Sequence, residues 1–323
     1  MIAHRGASGY RPEHTLASYR LGAHMGADYI EPDLVSTRDG VLVARHENEI
    51  SATTDVADHP EFADRRTTKV IDGVTLTGWF TEDFTLRELK TLRAKERIPD
   101  LRRRNTLYDG RHEIPTLQEV IDLARDVDVG IYPETKHPTY FRSIGLNLEG
   151  PLVRALKRNK LDGRRAGVFV QSFEVGNLKQ LADRIDAPLV QLLGDCARRP
   201  ADGGPAYGEI ATPAGLRSVA RYADGVGPSK DYIVPRDVTG RSLPHTSFVR
   251  DAHRAGLVVH PYTFRNENAF LPLELRSSAN PPEYGDAFAE YAQFYELGVD
   301  GLFADNPDTA VEARARAAPR APC

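Results

Sequence analysis

Short apolar runs alternate with amphipathic stretches along most of the chain. Runs rich in aliphatic and β-branched residues predict eight β-strands, at 1–4, 29–35, 129–132, 167–170, 189–193, 225–227, 257–260 and 301–304. Between them, apolar residues recur at helical spacing at 16–25, 117–124, 152–156, 178–185, 248–255 and 288–297. This alternation predicts an α/β protein in which helices connect parallel strands.

Eight strand–helix repeats are the number that closes a (β/α)8 TIM barrel. Such barrels typically need about 250 residues, so a chain of 323 residues leaves room for insertions. A doubly wound sheet is the alternative, but it usually has only five or six strands. We therefore predict the barrel.

The second strand is expected to continue into a hairpin and then into an inserted subdomain. Arg38-Asp39-Gly40 predicts the turn of the hairpin. Residues 48–113 then interrupt the alternation: they are mostly polar, hold the only tryptophan, and predict one helix near 86–93. Because they follow the carboxyl end of a strand, we place them over the face that carries active sites in barrels. The barrel then comprises 1–47 and 114–317, with 318–323 as a tail.

Composition and charge exclude several classes of function. Lys and Arg number 42 against 46 Asp and Glu, a formal net charge of −4, whereas a general nucleic-acid binder needs a basic surface. No apolar run approaches the roughly 18 residues of a membrane span. Cys196 and Cys323 lie far apart, which excludes both a disulfide scaffold and a CxxC metal site. Any phosphate recognition must therefore be local.

Charged residues gather on the second and third predicted strands. Glu31 and Asp33 are two residues apart, so both side chains point to the same face of a strand. Glu134 and Lys136 repeat this spacing on the third strand. Taken separately, the pairs also fit a solvated sheet face and a simple ion pair. Together, three carboxylates without thiolates favour Ca²⁺ or Mg²⁺ over Zn²⁺, with a phosphate oxygen as the natural further ligand.

Histidine, arginine and aromatic residues occupy other predicted strand ends. His4 closes the first strand and His46 ends the hairpin, so the two imidazoles form a candidate acid and base pair near neutral pH. Arg5 offers a planar guanidinium to a phosphate group. Tyr262 and Phe264 follow the seventh strand, where they would pack against the carbon skeleton of a substrate or cap the barrel core.

Several of these motifs occur in an order that resembles the glycerophosphodiester phosphodiesterase family. They span nearly the whole chain: His4-Arg5-Gly6-Ala7, Pro12-Glu13-His14-Thr15, Glu31-Pro32-Asp33, Asp39-Gly40-Val41-Leu42-Val43, His46, Glu134-x-Lys136 and Gly298-Val299-Asp300-Gly301-Leu302-Phe303-Ala304-Asp305. The insertion is similar to that of the periplasmic and secreted bacterial branch, on the strength of Gly78-Trp79-Phe80 and Ile114-Pro115-Thr116-Leu117.

The resemblance implies a TIM barrel that hydrolyses glycerophosphodiesters to sn-glycerol 3-phosphate and an alcohol, with a divalent metal ion that is often Ca²⁺ in that branch. The implied roles are Glu31, Asp33 and Glu134 as metal ligands, His4 and His46 as acid and base, and Arg5 and Lys136 on the phosphate. One departure is His14, where many members carry asparagine. The resemblance also implies a periplasmic or secreted protein, while a cytoplasmic one stays open. It leaves the alcohol and the oligomeric state undetermined.

Two other functions fit the same residues. A phospholipase D-like hydrolase of lysophospholipids or sphingomyelin reuses the same histidines and carboxylates, but it needs an apolar entrance, and residues 48–113 are mostly polar. A non-catalytic phosphodiester-binding protein would be expected to have lost at least one of the seven residues assigned to the metal, the protons and the phosphate. All seven are present.

Overall fold

Eight strand positions close into a barrel in the computed structural model, which describes residues 1–317. The strands are β1 (Ile2–His4), β2 (Tyr29–Glu31), β3 (Asp33–Ser36), β4 (Leu42–Ala44), β5 (Thr67–Ile71), β6 (Val74–Gly78), β7 (Gly130–Ile131), β8 (Glu134–Thr135), β9 (Val170–Ser172), β10 (Leu189–Leu193), β11 (Gly225–Pro228), β12 (Val258–Val259) and β13 (Phe303–Ala304).

Helices follow most barrel strands and form the outer layer. They are α1 (Leu16–His24), α2 (Leu86–Leu89), α3 (Leu117–Asp126), α4 (Pro138–Ser143), α5 (Glu149–Arg158), α6 (Val175–Ala182), α7 (Tyr207–Ile210), α8 (Pro213–Val219), α9 (Phe248–Arg254), α10 (Ala287–Glu296) and α11 (Pro307–Ala317). None of the helices within residues 1–317 has the length and apolar character that a bilayer span requires.

Parallel pairing runs around the barrel. The strand orders are β13-β1-β2-β7 and β12-β11-β10-β9-β8-β3-β4, in which only the β3–β4 hairpin is antiparallel. Parallel bridges from Ile131 to Val168 and from Phe264 to Ala304 join the two arcs. The barrel predicted from the strand pattern is confirmed, and the doubly wound alternative is wrong.

Two prolines interrupt the second and third barrel positions without changing the register. Pro32 separates β2 from β3, and Pro133 separates β7 from β8. A proline has no N–H to donate, but its carbonyl still accepts, and Glu134 N donates to Pro32 O at 2.9 Å. The register therefore continues, and it places Asp33 directly opposite Glu134.

A capping box starts the helix that follows the insertion. Thr116 accepts a hydrogen bond from Glu119 N, and the Glu119 carboxylate accepts one from Thr116 N. These two bonds satisfy backbone donors that the first turn leaves free. Apolar side chains of α3, among them Val120 and Ile121, face the core. The helix thus begins where the polar insertion returns to the barrel.

The insertion carries a β-hairpin that the sequence analysis did not predict. β5 and β6 pair antiparallel through a turn at Asp72 and Gly73, whose φ angles are 48° and 80°. Helix α2 ends at Leu89, four residues before the end predicted for it. Residues 197–211, whose glycines and prolines predict a long loop, contain the whole of the short helix α7.

The insertion packs on the barrel through a shared apolar core. Phe62, Trp79 and Phe84 belong to the same cluster of buried side chains as the barrel helices. The division into a barrel of 1–47 and 114–317 and an insertion of 48–113 stays an interpretation. The tail predicted at 318–323 lies outside the described residues.

Both ends of the described chain lie on the face opposite the carboxyl ends of the strands. β1 pairs with β13, and α11 runs back from the end of β13 towards this face. There Asp28, just before β2, pairs with the Met1 amino group and with Arg314 of α11.

Candidate active site

A cavity of about 430 Å³ opens at the carboxyl ends of the barrel strands. It is lined by seven of the nine residues that the sequence analysis assigned to a site, namely His4, Arg5, Glu31, His46, Glu134, Lys136 and Tyr262. Asp33 lies directly behind the lining, beside Glu31 and Glu134. A TIM barrel places its active site on this face because the loops that follow the strands meet there.

Three buried carboxylates converge on one wall of the cavity. Glu31, Asp33 and Glu134 each have an oxygen within 4.8 Å of the others, and each residue is at most 6% exposed. Asp33 Oδ1 accepts no hydrogen bond from any described residue, and Glu134 Oε1 has only the Lys136 ammonium beside it, at 3.2 Å. Buried carboxylate oxygens without partners are unfavourable unless a cation completes them. This donor set fits a hard divalent cation such as Ca²⁺ or Mg²⁺.

The three carboxyl groups differ in their acidity. Burial, reinforced by the neighbouring charge of Asp33, holds the pKa of Glu31 well above its usual value. Burial also raises the pKa of Glu134 to about 8, although Lys136 opposes this. Burial acts the same way on Asp33, but a hydrogen bond from His14 outweighs it and keeps the pKa of Asp33 well below normal. A bound cation would favour the ionised form of all three.

Arg5 is held at the junction between β1 and the carboxylates. Its backbone lies in the left-handed region with φ 59°, and its N–H donates to Glu31 Oε2 at 2.8 Å. Its guanidinium donates to Glu13 at 3.0 Å. Gly6 follows with φ 84°, and a Cβ there would lie 2.5 Å from the carbonyl carbon of Ser18. The tight turn therefore requires glycine, and it aims Arg5 into the cavity.

His4 is oriented by a carboxylate from the last barrel strand position. Its Nδ1 lies 2.6 Å from Asp305 Oδ1. Asp305 in turn accepts from Arg102 of the insertion at 2.6 Å and from Arg265 at 2.7 Å. Burial and the charge of Arg5 lower the pKa of His4 to about 4, with Asp305 opposing. Its ring is therefore neutral at pH 7, and Nε2 is the nitrogen that Asp305 leaves free.

His46 has a similar arrangement on the opposite side of the carboxylates. Its Nδ1 lies 3.0 Å from Glu47 Oε1, and its Nε2 lies 3.5 Å from Lys136 Nζ. Shielding from bulk water, together with the charges of Arg5 and Lys136, lowers the pKa of His46 to about 3. The Nδ1 of each histidine therefore meets a carboxylate, and its Nε2 is the nitrogen on the cavity side, which in His46 has only the long contact with Lys136.

The structure separates the two aromatic residues that were predicted together. Tyr262 lines the cavity and donates its hydroxyl to Leu193 O at 2.8 Å. Phe264 does not line the cavity: it is fully buried, and its ring packs against Tyr291 and Phe294 of α10 at centroid distances of 5.1 and 4.9 Å. Its assignment to substrate binding is therefore wrong, because its side chain points into the helix layer.

Several residues around the site had no predicted role. Glu13, His14 and Asp305 stood within the quoted motifs, but no contact was inferred for them. Gln171 donates to Glu31 Oε1 at 3.2 Å. Its signal in the sequence was a polar residue directly after an apolar strand run, and the structure places it on the cavity lining.

A second cavity of about 500 Å³ adjoins the first. The two share Glu134, Lys136, Phe173 and Tyr262 among their lining residues. Apolar side chains of the β5–β6 hairpin also line the second cavity, namely Ile71, Val74 and Leu76. The insertion therefore contributes directly to the surroundings of the site.

Comparison with known proteins shows similarity to one protein family. The sequence profile of the glycerophosphoryl diester phosphodiesterase family matches residues 4–309. The chain is similar to the glycerophosphodiester phosphodiesterase GDPD6 of Arabidopsis thaliana, with 40% identity over 94% of this chain and 82% of the relative. It is also similar to a glycerophosphodiester phosphodiesterase of Bacillus subtilis, with 31% identity over 95% and 83%. Relatives thus occur in plants and bacteria, and they do not assign the chain to the secreted bacterial branch.

Solved structures support the same architecture. A phosphodiesterase from Oleispira antarctica, determined in complex with the product sn-glycerol-3-phosphate, matches with a TM-score of 0.64 at 22% identity, over 97% of this chain and 96% of the other. A structure from Silicibacter pomeroyi matches with a TM-score of 0.67 at 21% identity, over 98% and 92%. At these identities the likeness establishes the fold.

Proposed function

The chain belongs to the glycerophosphoryl diester phosphodiesterase family, and on this basis we propose that it hydrolyses glycerophosphodiesters, such as glycerophosphocholine or glycerophosphoethanolamine, to sn-glycerol 3-phosphate and an alcohol. The observation that carries the proposal is the convergence, in one cavity, of a buried carboxylate triad with two histidines and two cationic side chains. This combination supplies what hydrolysis of a phosphodiester can use: groups that transfer protons and positive charge that stabilises the phosphate oxygens.

The carboxylate triad is the place for a metal ion. Glu31, Asp33 and Glu134 would hold it, and the partnerless buried oxygen of Asp33 supports this. A divalent cation there would withdraw charge from the phosphate oxygens. The oxygen donors fit both Ca²⁺ and Mg²⁺, and the sequence resemblance favours Ca²⁺.

Arg5 and Lys136 bind the phosphate in this proposal. Both are buried and line the cavity. Burial lowers the pKa of Lys136, but Glu134, Glu47 and Asp33 outweigh it and raise the pKa above its usual value, so the ammonium stays charged. Two fixed cations beside the carboxylates would stabilise charge on the equatorial phosphate oxygens.

The two histidines move the protons. The Nε2 of one takes the proton of the attacking hydroxyl as the new P–O bond forms, and the other protonates the alcohol oxygen as the old P–O bond breaks. The attacking group we propose is the neighbouring glycerol 2-hydroxyl, which gives a cyclic phosphate that water then opens. The phosphate anion between the rings would raise the low pKa values of His4 and His46, so that one of them can carry a proton.

A second candidate substrate is a lysophospholipid, cleaved as by a phospholipase D. The apolar lining of the second cavity by Ile71, Val74 and Leu76 favours it, because an acyl chain needs such a surface. Rates on a lysophosphatidylcholine and on glycerophosphocholine separate the candidates. Faster turnover of the acylated substrate would support the lysophospholipid.

Product analysis tests the proposal. Incubation with glycerophosphocholine in Ca²⁺, in Mg²⁺ and in a chelator is expected to give glycerol 3-phosphate and choline, with the products disappearing in chelator. Phosphocholine and glycerol as products would show that the wrong bond was assigned. If neither substrate is turned over with any metal, the remaining hypothesis is a non-catalytic phosphodiester-binding protein.

Substitution of each histidine gives a matched test of the proton transfers. We expect His4→Ala and His46→Ala each to reduce kcat by about 10²–10⁴-fold, the usual worth of a general acid or base. Calorimetric titration with Ca²⁺ is the control, since neither histidine belongs to the carboxylate triad. Near-normal turnover by both variants would contradict the assignment.

The compartment is also a proposal. We propose export from the cytoplasm, which rests on the resemblance of the insertion to the periplasmic and secreted branch. Fractionation of the source cells with an antibody against the protein tests it, and recovery with the cytoplasm would overturn it.

A further inference from the structure

We propose that the insertion of residues 48–113 is a positioning device for both histidines, acting through Asp72 on His46 and through Arg102 on His4. The inference rests on the proposed function for its kinetic test, since it assigns the two imidazoles a catalytic role. It gives the insertion a part in catalysis beyond covering the barrel.

A chain of hydrogen bonds joins the tip of the β5–β6 hairpin to His46. Asp72 Oδ2 lies 2.5 Å from His137 Nδ1, and His137 Nε2 lies 2.8 Å from Glu47 Oε2. The other oxygen of Glu47 lies 3.0 Å from His46 Nδ1. These four residues come from three distant parts of the sequence, so only the tertiary fold brings them together.

Two residues in this series of hydrogen bonds, Asp72 and His137, have unusual backbone conformations. Asp72 has φ 48° and is followed by Gly73 with φ 80°, the signature of a tight two-residue hairpin turn. His137 has φ 52° directly before Pro138, the first residue of α4. Left-handed backbone is unfavourable for histidine and persists only where the surroundings hold it. His137 makes both of its carboxylate contacts from this conformation.

This series of hydrogen bonds also determines the protonation of the two imidazole rings. Both ring nitrogens of His137 face carboxylates, so both donate and the ring is a cation. Burial lowers the pKa of His137, but the hydrogen bonds to Asp72 and Glu47 outweigh it and raise the pKa to about 9. Glu47 then accepts from His46 Nδ1–H, and the lone pair of His46 Nε2 lies on the cavity side, where its one described neighbour is the Lys136 ammonium at 3.5 Å. An orienting group of this kind selects the tautomer of an imidazole.

His4 is held through the same insertion by a second route. Its orienting carboxylate, Asp305, accepts from Arg102, which also pairs with Glu267 at 2.6 Å. Arg102, Glu267 and Asp305 are all at most 5% exposed. Each histidine of the site thus forms a hydrogen bond with a carboxylate, His4 with Asp305 and His46 with Glu47. The insertion supplies the cation beside Asp305, which is Arg102. It also holds the cation beside Glu47, which is His137, through Asp72.

Asp72→Asn is the sharpest test of the hairpin route. The variant keeps the shape of the side chain and leaves an Asn-Gly turn, which favours this hairpin geometry, so it is expected to fold. It removes the charge that holds His137. Thr75→Ala, an exposed position on the same hairpin, is the matched control.

We expect Asp72→Asn to lower kcat on glycerophosphocholine by about 10–100-fold, the usual effect of losing a residue that orients a site ligand. KM and Ca²⁺ affinity should stay near those of Thr75→Ala, while the melting temperature should fall only by the share of the His137 stabilisation that Asp72 provides, leaving the variant folded at the assay temperature. An unchanged kcat in a folded variant would overturn the proposal. A loss of activity explained by KM, by metal affinity or by unfolding would overturn it as well.

A readout without turnover separates this proposal from the proposed function. In ¹⁵N NMR spectra of the histidine rings, wild-type His46 should be the Nδ1–H tautomer, and Asp72→Asn should give a mixture of tautomers. If the wild-type protein hydrolyses neither substrate, the proposed function fails while the spectra still decide the positioning. An unchanged His46 signal in Asp72→Asn would overturn the positioning whatever the activity.

Discussion

The charges of the five side chains assigned to the metal ion and the phosphate nearly balance. Glu31, Asp33 and Glu134 would carry three negative charges when ionised, and Arg5 and Lys136 carry two positive ones. A divalent cation changes this local sum from −1 to +1, and a phosphodiester anion brings it to zero. Burial, with a smaller contribution from the Asp33 charge, raises the pKa values of Glu31 and Glu134, and a metal ion bound there would displace protons from these groups.

The burial of Phe264 gives a first prediction. Its ring is fully enclosed by aromatic side chains of α10, so we expect Phe264→Ala to lower the free energy of unfolding by about 3–5 kcal/mol. Urea denaturation measures this. KM of the folded variant should change little, and a large rise in KM with normal stability would contradict the core position.

His137 predicts a pH dependence of stability. Its pKa is about 9 in the folded protein, where Asp72 and Glu47 outweigh burial and Lys136, against 6.5 as the ordinary value. A raised pKa stabilises the fold fully below pH 6.5, and the contribution is lost as the pH rises through 9. We expect the wild-type free energy of unfolding to fall across this window by up to about 3 kcal/mol relative to His137→Asn.

Urea denaturation at several pH values checks this expectation. Asparagine tolerates the left-handed backbone at position 137 but does not titrate, so the variant is the matched control. Parallel stability curves for the two proteins between pH 6.5 and 9 would show that His137 is not a buried cation.

The candidate site was predictable wherever chemistry follows from strand geometry. Glu31 and Asp33 share a strand face, and parallel strands bring their carboxyl ends together, so sequence spacing alone placed them beside Glu134. Phe264 was assigned to the substrate wrongly. It lies beyond the end of β12, where the sequence pattern of a strand no longer indicates which way a side chain points. Glu47 and Asp72 were missed because His137, the residue that they share as a partner, lies far from both in the sequence.

At the scale of elements, the barrel strands were predictable and the β5–β6 hairpin was overlooked. Runs of aliphatic residues mark buried parallel strands regardless of their surroundings. The hairpin is largely exposed and reads as polar, yet Asp72-Gly73 between Val70-Ile71 and Val74 is the strongest short signal for such a turn. The sequence therefore contains a signal for the hairpin, which was overlooked because the hairpin lies apart from the barrel strands.

Arg102 connects the insertion to the barrel and gives a prediction at this scale. Arg102→Met leaves the buried carboxylates of Glu267 and Asp305 without their shared cation. Removing one partner from a buried ion pair usually costs about 3–5 kcal/mol, so we expect that loss in urea denaturation. The folded variant should also lose kcat, because Asp305 orients His4. A variant as stable and active as wild type would mean that the contact is dispensable.

For the whole molecule, the continuous core predicts cooperative unfolding. Trp79 lies in the insertion, donates to Phe62 O at 2.6 Å, and belongs to the same apolar cluster as the barrel helices. Tryptophan fluorescence therefore reports the insertion, and far-ultraviolet circular dichroism reports mostly the barrel. We expect the two signals to give the same urea midpoint. An earlier fluorescence transition would show that the insertion unfolds as a separate unit.

The pairing of β1 with β13 has a practical consequence for handling the protein. Residues 1 and 317 both lie on the face away from the cavity, near Asp28. A support coupled through the exposed end of α11, for example at Arg316, would therefore leave the cavity turned towards the bulk liquid. Molecules immobilised in this way would share one orientation, with the reactive end outermost and open to dissolved esters.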